Sequence, residues 1–427
     1  MARLGRCLAG GVALAMLVFG FALAGTASAR RPRALAVDPQ QKLQAPNSDL
    51  FGLSVSLSSD GSVALVGAPN TDVAQGAVFV FVRSGGIWIL QQKLQIPHPI
   101  GQFGALRFGT SVSLSSDGRT ALIGAQGSNP AIGGEDAAYV FVRGFFGGFI
   151  LQQKLANPAG GFSANQFGAS VSLSPDGRTA LVGAPAAPIG SGGTGGGAAY
   201  VFARSFFGGW TQQQKLGPIG TTFDAFGSSV SLSSDSRTAL IGAPRKDRTG
   251  AAYVFARGLV GGFIQQQQLQ AADRAEDDSF GASVSMTGDA RTALIGAPDK
   301  DDGPNAADGA AYVYARGALG GFTQQQKLQA ADRAAGDEFG DAVSLDSGGS
   351  RALIGALGKD GEKGAAYLFA GGFTQQQKLQ AADGVEGDFF GWSVSVSANG
   401  TVSLIGAPQI HDGSPRSGAA YVFTGLS

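Results

Sequence analysis

Apolar and polar residues alternate along this chain in short runs that recur in a fixed order. In Ser111-Val112-Ser113-Leu114-Ser115 every second residue faces one side, Asp117-Gly118 follows, and Thr120-Ala121-Leu122-Ile123 resumes the pattern. Period-two runs flanking Asp-Gly predict a β-hairpin, because that dipeptide supplies the positive backbone dihedral of a tight turn. A variable loop leads to a third run, Gly197-Ala198-Ala199-Tyr200-Val201-Phe202 and its near copies. A Gly-rich turn then leads to a fourth, such as Trp210-Thr211-Gln212-Gln213-Gln214-Lys215-Leu216. The unit is read as a four-stranded antiparallel sheet.

The unit is present seven times. Phe-Gly pairs stand at Phe51-Gly52, Phe108-Gly109, Phe167-Gly168, Phe226-Gly227, Phe280-Gly281, Phe339-Gly340 and Phe390-Gly391. Each is followed 15 residues on, glycine to glycine, by a Gly-Ala step beginning at Gly67, Gly124, Gly183, Gly242, Gly296, Gly355 and Gly406. The repeats themselves lie 51 to 59 residues apart, so the stretch between the two motifs is rigid and the length variation belongs to loops. One such sheet cannot bury both faces, so neighbours must stack. Small residues crowd the first two strands, as at the axis of a ring, and Gln, Lys and Leu fill the fourth. The chain opens on a fourth-type strand, Gln40-Gln41-Lys42-Leu43, and its last repeat ends on a third-type strand, Ala419-Ala420-Tyr421-Val422-Phe423. An all-β, seven-bladed propeller of four-stranded antiparallel blades is predicted, with the N-terminal strand completing the last blade.

Ahead of the repeats, Arg3 and Arg6 precede an apolar run from Leu8 to Ala24, and Ala27-Ser28-Ala29 offers small residues for cleavage. Residues 1–29 read as a secretory signal peptide, 30–36 as a basic linker and 37–427 as the propeller. The expected location is therefore outside the cell or in its envelope. The one cysteine, Cys7, lies in the leader, so packing rather than disulfides must hold the exported chain. The full chain has 31 basic and 31 acidic residues, and without Arg3 and Arg6 the balance is −2, which leaves no overall positive field for nucleic acid.

Phe-Gly-x-Ser-Val, Leu-Ile/Val-Gly-Ala-Pro and Gly-Ala-Ala-Tyr-Val-Phe together resemble the FG-GAP repeat of integrin alpha-subunit propellers and of bacterial secreted FG-GAP proteins. Gln126 and Leu357 replace the proline, and Val78-Phe79 replaces Ala-Tyr. The resemblance implies a seven-bladed propeller whose 2–3 and 4–1 loops face the ligand. It also implies calcium loops between the first two strands, from which this chain departs. Turns such as Ser58-Ser59-Asp60-Gly61 carry one carboxylate, too few for the six or more oxygens calcium takes. No cofactor is expected. Asp299, Asp301, Asp302 and Asp308 are the metal candidates, read as a solvated acidic loop.

Antiparallel strands put the 1–2 and 3–4 turns on one face, here the lower, and the 2–3 and 4–1 loops on the upper. From Ala271 onward the upper loops carry 17 acids against six bases. Asp277, Asp278, Asp299, Asp301, Asp302, Asp337, Glu338, Asp360 and Asp388 are the candidate contacts for an extracellular or envelope protein or glycan. The lower face gathers ten arginines and six turn aspartates; Arg119, Arg178, Arg237 and Arg291 stand two residues past an Asp, where local pairing is expected. Phe145-Phe146, Phe206-Phe207, Leu259-Val260 and Ala318-Leu319 precede Gly-Gly in 3–4 turns and are expected to fold back over the blades.

Catalytic signals are thin. His98 and His411 are the only histidines, no Gly-x-Ser-x-Gly elbow occurs, and Gly190 to Gly195 matches a dinucleotide fingerprint without a following helix. The reading is a binding or adhesion module and not an enzyme. The rivals are a propeller hydrolase or lyase using central carboxylates and a passive scaffold.

Overall fold

The alternating runs form strands throughout, and the strands group into seven four-stranded antiparallel sheets. The computed structural model describes residues 40–96, 105–127, 136–156, 165–188, 195–218, 224–258, 261–302, 306–409 and 417–425. The leader, His98, His411, Gly190 to Thr194, Leu259-Val260, Gly303 and Arg416 lie outside them. Blade 3 is typical, with strands Ser170–Leu173, Thr179–Ala184, Ala198–Arg204 and Trp210–Leu216. Its second strand is buried along its whole length because a neighbouring blade covers each face. In six blades a bulge shifts the register midway between strands three and four, at Val201/Phe202 in blade 3, and this increases the local twist.

Blade 7 takes three strands, Ser393–Val396, Val402–Ala407 and Ala419–Thr424, from the end of the chain and its fourth, Gln40–Leu43, from the beginning. Gln40 pairs with Phe423 and Leu43 with Ala420. The ring is therefore closed as the terminal strand types require, and an apolar layer of Leu43, Val402, Leu404 and Val422 meets Phe51, Phe79 and Phe81 of blade 1.

The fixed spacing of 15 has a mechanical cause. In blade 1 the Gly52 N–H donates to Gly67 O at 3.0 Å, and the same bond recurs from Gly168 to Gly183 at 2.9 Å. All seven Phe-Gly glycines adopt φ between +92° and +101°, which a side chain would strain. Each Gly-Ala glycine lies against the next blade, where a Cβ at Gly67 would collide with Gly109 O and one at Gly406 with Gly52 O. The seven Phe side chains are wholly buried, each 5.4 to 5.7 Å from a third-strand Tyr or Phe ring.

Three sets of hydrogen bonds run around the ring. Ser54, Ser111, Ser170, Ser229, Ser283 and Ser393 each donate a hydroxyl to the Phe-Gly carbonyl of the following blade at 2.7 to 2.9 Å. Blade 6 has Ala342 at that position and lacks the donor. At the lower end, backbone N–H groups of the 1–2 turns reach the next turn: Ser59 to Ser116, Ser116 to Pro175, Ser234 to Gly288, Gly288 to Ser347, Ser347 to Ala398 and Ala398 to Ser59. The seventh link, from residue 175, is missing because Pro175 has no N–H. At the rim, the Gln amides of the fourth strand clamp the next blade. Gln92 both accepts from Phe149 N at 2.7 Å and donates to Phe149 O at 2.9 Å, and Gln153 does the same to Trp210. This explains the repeated Gln-rich fourth strand.

Candidate functional site

After blades 4, 5 and 6 the upper face is built from 4–1 loops of the form Leu-Gln-Ala-Ala-Asp, ending at Asp273, Asp332 and Asp383, and the 2–3 loops beside them. In blades 5 and 6 a buried lysine of the 2–3 loop joins the two. Lys300 Nζ donates to Asp273 O at 2.9 Å and to Asp278 Oδ2 at 3.2 Å; Lys359 Nζ donates to Asp332 O and to Asp337 Oδ2 at 2.9 Å. The loop aspartates then collect a tyrosine and a fourth-strand lysine. Tyr312 and Lys327 bond Asp273, Tyr367 and Lys378 bond Asp332, and Tyr421 and Lys42 bond Asp383, at 2.6 to 2.9 Å. Burial pushes the Asp273, Asp332 and Asp383 carboxyls up, but these donors outweigh it and hold all three below the ordinary carboxylate value.

Most of the acidic character read from the sequence is consequently neutralised within the blades. Asp278, Asp337 and Asp388 are buried. Each carboxylate caps its own loop by accepting from the N–H of Ala275, Ala334 or Val385 at 2.6 to 2.8 Å, so these three do not present themselves to a partner. Asp302 accepts from Lys327 at 3.0 Å and Asp360 from Lys378 at 2.8 Å, and the lysine bonds depress both carboxyls. Asp277 pairs with Arg248 at 3.1 Å, and Asp301 accepts from Ala307 N at 2.6 Å.

The metal candidates are not brought together. Asp308 is buried with Arg333 Nε 3.3 Å from Oδ2, Asp302 is on Lys327, and among the described residues no cluster of metal-binding side chains forms. A cleft of about 710 Å³ opens between blades 4 and 5, lined by Pro244, Arg245, Arg248, Glu276, Asp277, Ser279, Asp299 and Asp301, and a smaller one of about 410 Å³ opens beside it between blades 3 and 4.

A channel of about 280 Å³ runs where the first strands converge, lined by one matching triplet from each blade, such as Leu53-Ser54-Val55 and Ala282-Ser283-Val284. The residue after Phe-Gly is Leu53, Thr110, Ala169, Ser228, Ala282 and Trp392 in six blades, but Asp341 in blade 6. Burial, and then the charges of Glu338 and Asp299, push the Asp341 carboxyl up to about 7. Glu338 is itself raised by burial, Asp299 and Glu362. Asp341 was not among the residues expected to matter, although it is the one charged residue at that repeat position.

The lower face departs from expectation twice. The N–H groups of Arg119, Arg178, Arg237 and Arg291 donate to the turn carboxylates of Asp117, Asp176, Asp235 and Asp289 at 2.9 to 3.0 Å; among the described residues only Arg291 also brings its side chain near, at 3.7 Å. Backbone geometry thus satisfies the aspartate and leaves the guanidinium outside. The second departure concerns Phe145, Phe146, Phe206, Phe207 and Leu319, which do not fold back and are 91 to 104 % exposed. Five-residue turns closed by Gly144 N to Gly148 O and Ser205 N to Gly209 O hold the two central residues at the tip. The aromatic that packs onto each blade is the one after Gly-Gly, Phe149 or Trp210.

Six segments, 40–81, 150–202, 210–255, 263–314, 322–369 and 373–423, match the model of a family described as FG-GAP repeat. No curated protein sequence matches the chain. Among solved structures, hydrazine synthase of Kuenenia stuttgartiensis aligns over 90% of this chain and 98% of that one, with a TM-score of 0.57 at 11% identity, a likeness of fold alone. With seven closed blades and most of its length matched by that family model, the chain belongs to the FG-GAP repeat family.

Proposed function

We propose that this propeller is an extracellular binding module, whose partner, a protein or glycan, docks on the upper face at the cleft between blades 4 and 5. The observation that supports this is the contrast within one face. The acids of blades 5 to 7 are largely tied to lysines and tyrosines of their own blades, whereas Glu276 and Asp277, paired with Arg248 at 2.9 and 3.1 Å, stay exposed together with Asp299 in an open cleft. Such a mixed-charge, concave surface suits a partner with complementary charges and fixes orientation more than it adds affinity. The test immobilises residues 30–427 and screens envelope proteins, matrix proteins and glycans, with calcium and with chelator. Beside it stands the Asp277→Asn, Asp299→Asn, Asp301→Asn variant. Loss of about tenfold or more in affinity supports the cleft as the contact. Binding unchanged in the variant refutes it, and absence of any ligand favours a passive scaffold.

A second reading, a hydrolase or lyase, draws support from Asp341. A carboxyl near 7 at a channel mouth suits general acid-base work at neutral pH. It requires turnover of some substrate that Asp341→Asn abolishes while leaving the fold intact.

A further inference from the structure

The lower face combines two features that the upper-face reading does not use. The first is aromatic. Phe145-Phe146 and Phe206-Phe207 stand at the tips of adjacent blades, each pair touching ring edge to ring face at 5.5 and 5.6 Å. They are almost wholly exposed. Exposed large aromatics at paired positions mark a contact surface, because single scattered ones need no explanation but a repeated cluster does. These tips are convex, and the bases of both hairpins are clamped by Gln92 and Gln153 of the preceding blades. They are thus presented rigidly and side by side.

The second feature is charge. Arg119 and Arg178 project into solvent from the 1–2 turns of the same two blades, their Asp117 and Asp176 neighbours being engaged by hydroxyl and backbone donors of their own turns. Arg143 and Arg204 stand at the hairpin bases, where Arg143 reaches Gln91 at 2.8 Å. Across the face as a whole ten arginines face six turn aspartates. Both turn types open on one side of the ring, as Arg257 Nε shows by donating to Ser236 O of its own blade's 1–2 turn at 2.9 Å.

We propose that the lower face of blades 2 and 3 docks on the surface of an anionic lipid bilayer, with the four phenylalanines entering the interface and the arginines meeting lipid phosphates. A protein partner would need matching pockets for protruding rings, whereas the headgroup boundary accepts aromatic tips without a preformed cavity and adds attraction for each cation. Guanidinium groups bind phosphate bidentately, which suits arginine over lysine here, and the 1–2 and 3–4 turns of these blades contain no lysine. The contact is peripheral, since among the described residues no helix is long and apolar enough to cross a membrane.

The experiment uses residues 30–427, which contain every strand of the closed ring and exclude the apolar leader that would itself partition. Flotation is measured with vesicles of equal parts phosphatidylcholine and phosphatidylglycerol and with vesicles of phosphatidylcholine alone. The expected result is binding to the anionic vesicles that weakens with salt. It should fall by about tenfold or more in the Phe145→Ser, Phe146→Ser, Phe206→Ser, Phe207→Ser variant, and by roughly fivefold for each of Arg119→Gln and Arg178→Gln. The substituted side chains are exposed, so thermal melting of each variant should match the parent and a shared loss of fold would be seen at once. No flotation of the parent, or flotation unchanged in the phenylalanine variant, overturns the proposal. So does a parent that self-associates without vesicles and becomes monomeric in that variant, because the tips would then serve contact between copies of the chain.

Discussion

Blade 6 is the one blade without the serine that ties its neighbour, and restoring it measures what that bond contributes. In Ala342→Ser the new hydroxyl would stand opposite Gly391 O, the same relation that six sibling serines hold to the following blade at 2.7 to 2.9 Å. Gly355 already packs on Gly391 as Gly296 packs on Gly340, so the seam has the same spacing. A neutral hydrogen bond of this kind stabilises by about 1 kcal/mol net. The reciprocal change, Ser283→Ala in the adjacent seam, leaves the Gly340 carbonyl without its partner and should cost about 1 to 3 kcal/mol. With an unfolding entropy of about 2.1 cal/mol/K per residue, a chain of this size shifts its melting temperature by only about 1 °C per kcal/mol. Calorimetry should therefore be paired with urea titration, in which the midpoint moves and the slope does not. The expected order is Ala342→Ser above wild type above Ser283→Ala. If Ala342→Ser melts at or below wild type while Ser283→Ala is destabilised, the seam between blades 6 and 7 is not equivalent to the others and the reasoning fails.

Two further perturbations address the charged groups. Lys359→Met strands the buried Asp337 carboxylate and should destabilise by about 3 to 5 kcal/mol in urea titration, with Lys359→Met, Asp337→Leu recovering much of the loss; equal losses in the two would refute a buried ion pair. Asp341 is raised in the fold from 3.8 to about 7, so the native state holds a proton that the unfolded chain has released across that interval, and stability should decline by up to one proton's slope as pH rises from about 4 to 7. Asp341→Asn removes that slope, so its melting advantage over wild type should grow across the window and level off above it, whereas a constant difference between the two curves would show that Asp341 titrates normally.

The architecture was legible because its rules are local. A spacing of fifteen from glycine to glycine is a hairpin whose ends meet at Gly52 N and Gly67 O, and strand types at the two termini announce the shared blade. The fate of the acids was illegible because it depends on partners far along the chain. Asp278 is paired with Lys300, 22 positions on, and Asp273 is neutralised by Lys327, 54 positions on. The hairpin tips misled for a different reason. Two glycines permit either direction, and the buried place beside the blade is already taken by Phe149 and Trp210. Asp341 needed only a comparison of the seven repeats at one column, which a search for paired carboxylates passes over.

The borrowed strand of blade 7 has a consequence for how such a chain can change. Every seam uses the same phenylalanine and glycine chemistry and six of the seven the same serine, so little in a seam specifies which blade comes next or how many there are. The tally is kept by Gln40–Leu43, which finds its place beside Ala420 to Phe423 only when the ring has come full circle. The 2–3 and 4–1 loops vary in length between repeats while the stretch from Phe-Gly to Gly-Ala does not. Blades can be gained or lost only as whole units, and only if the new ring still brings its first strand home to its last.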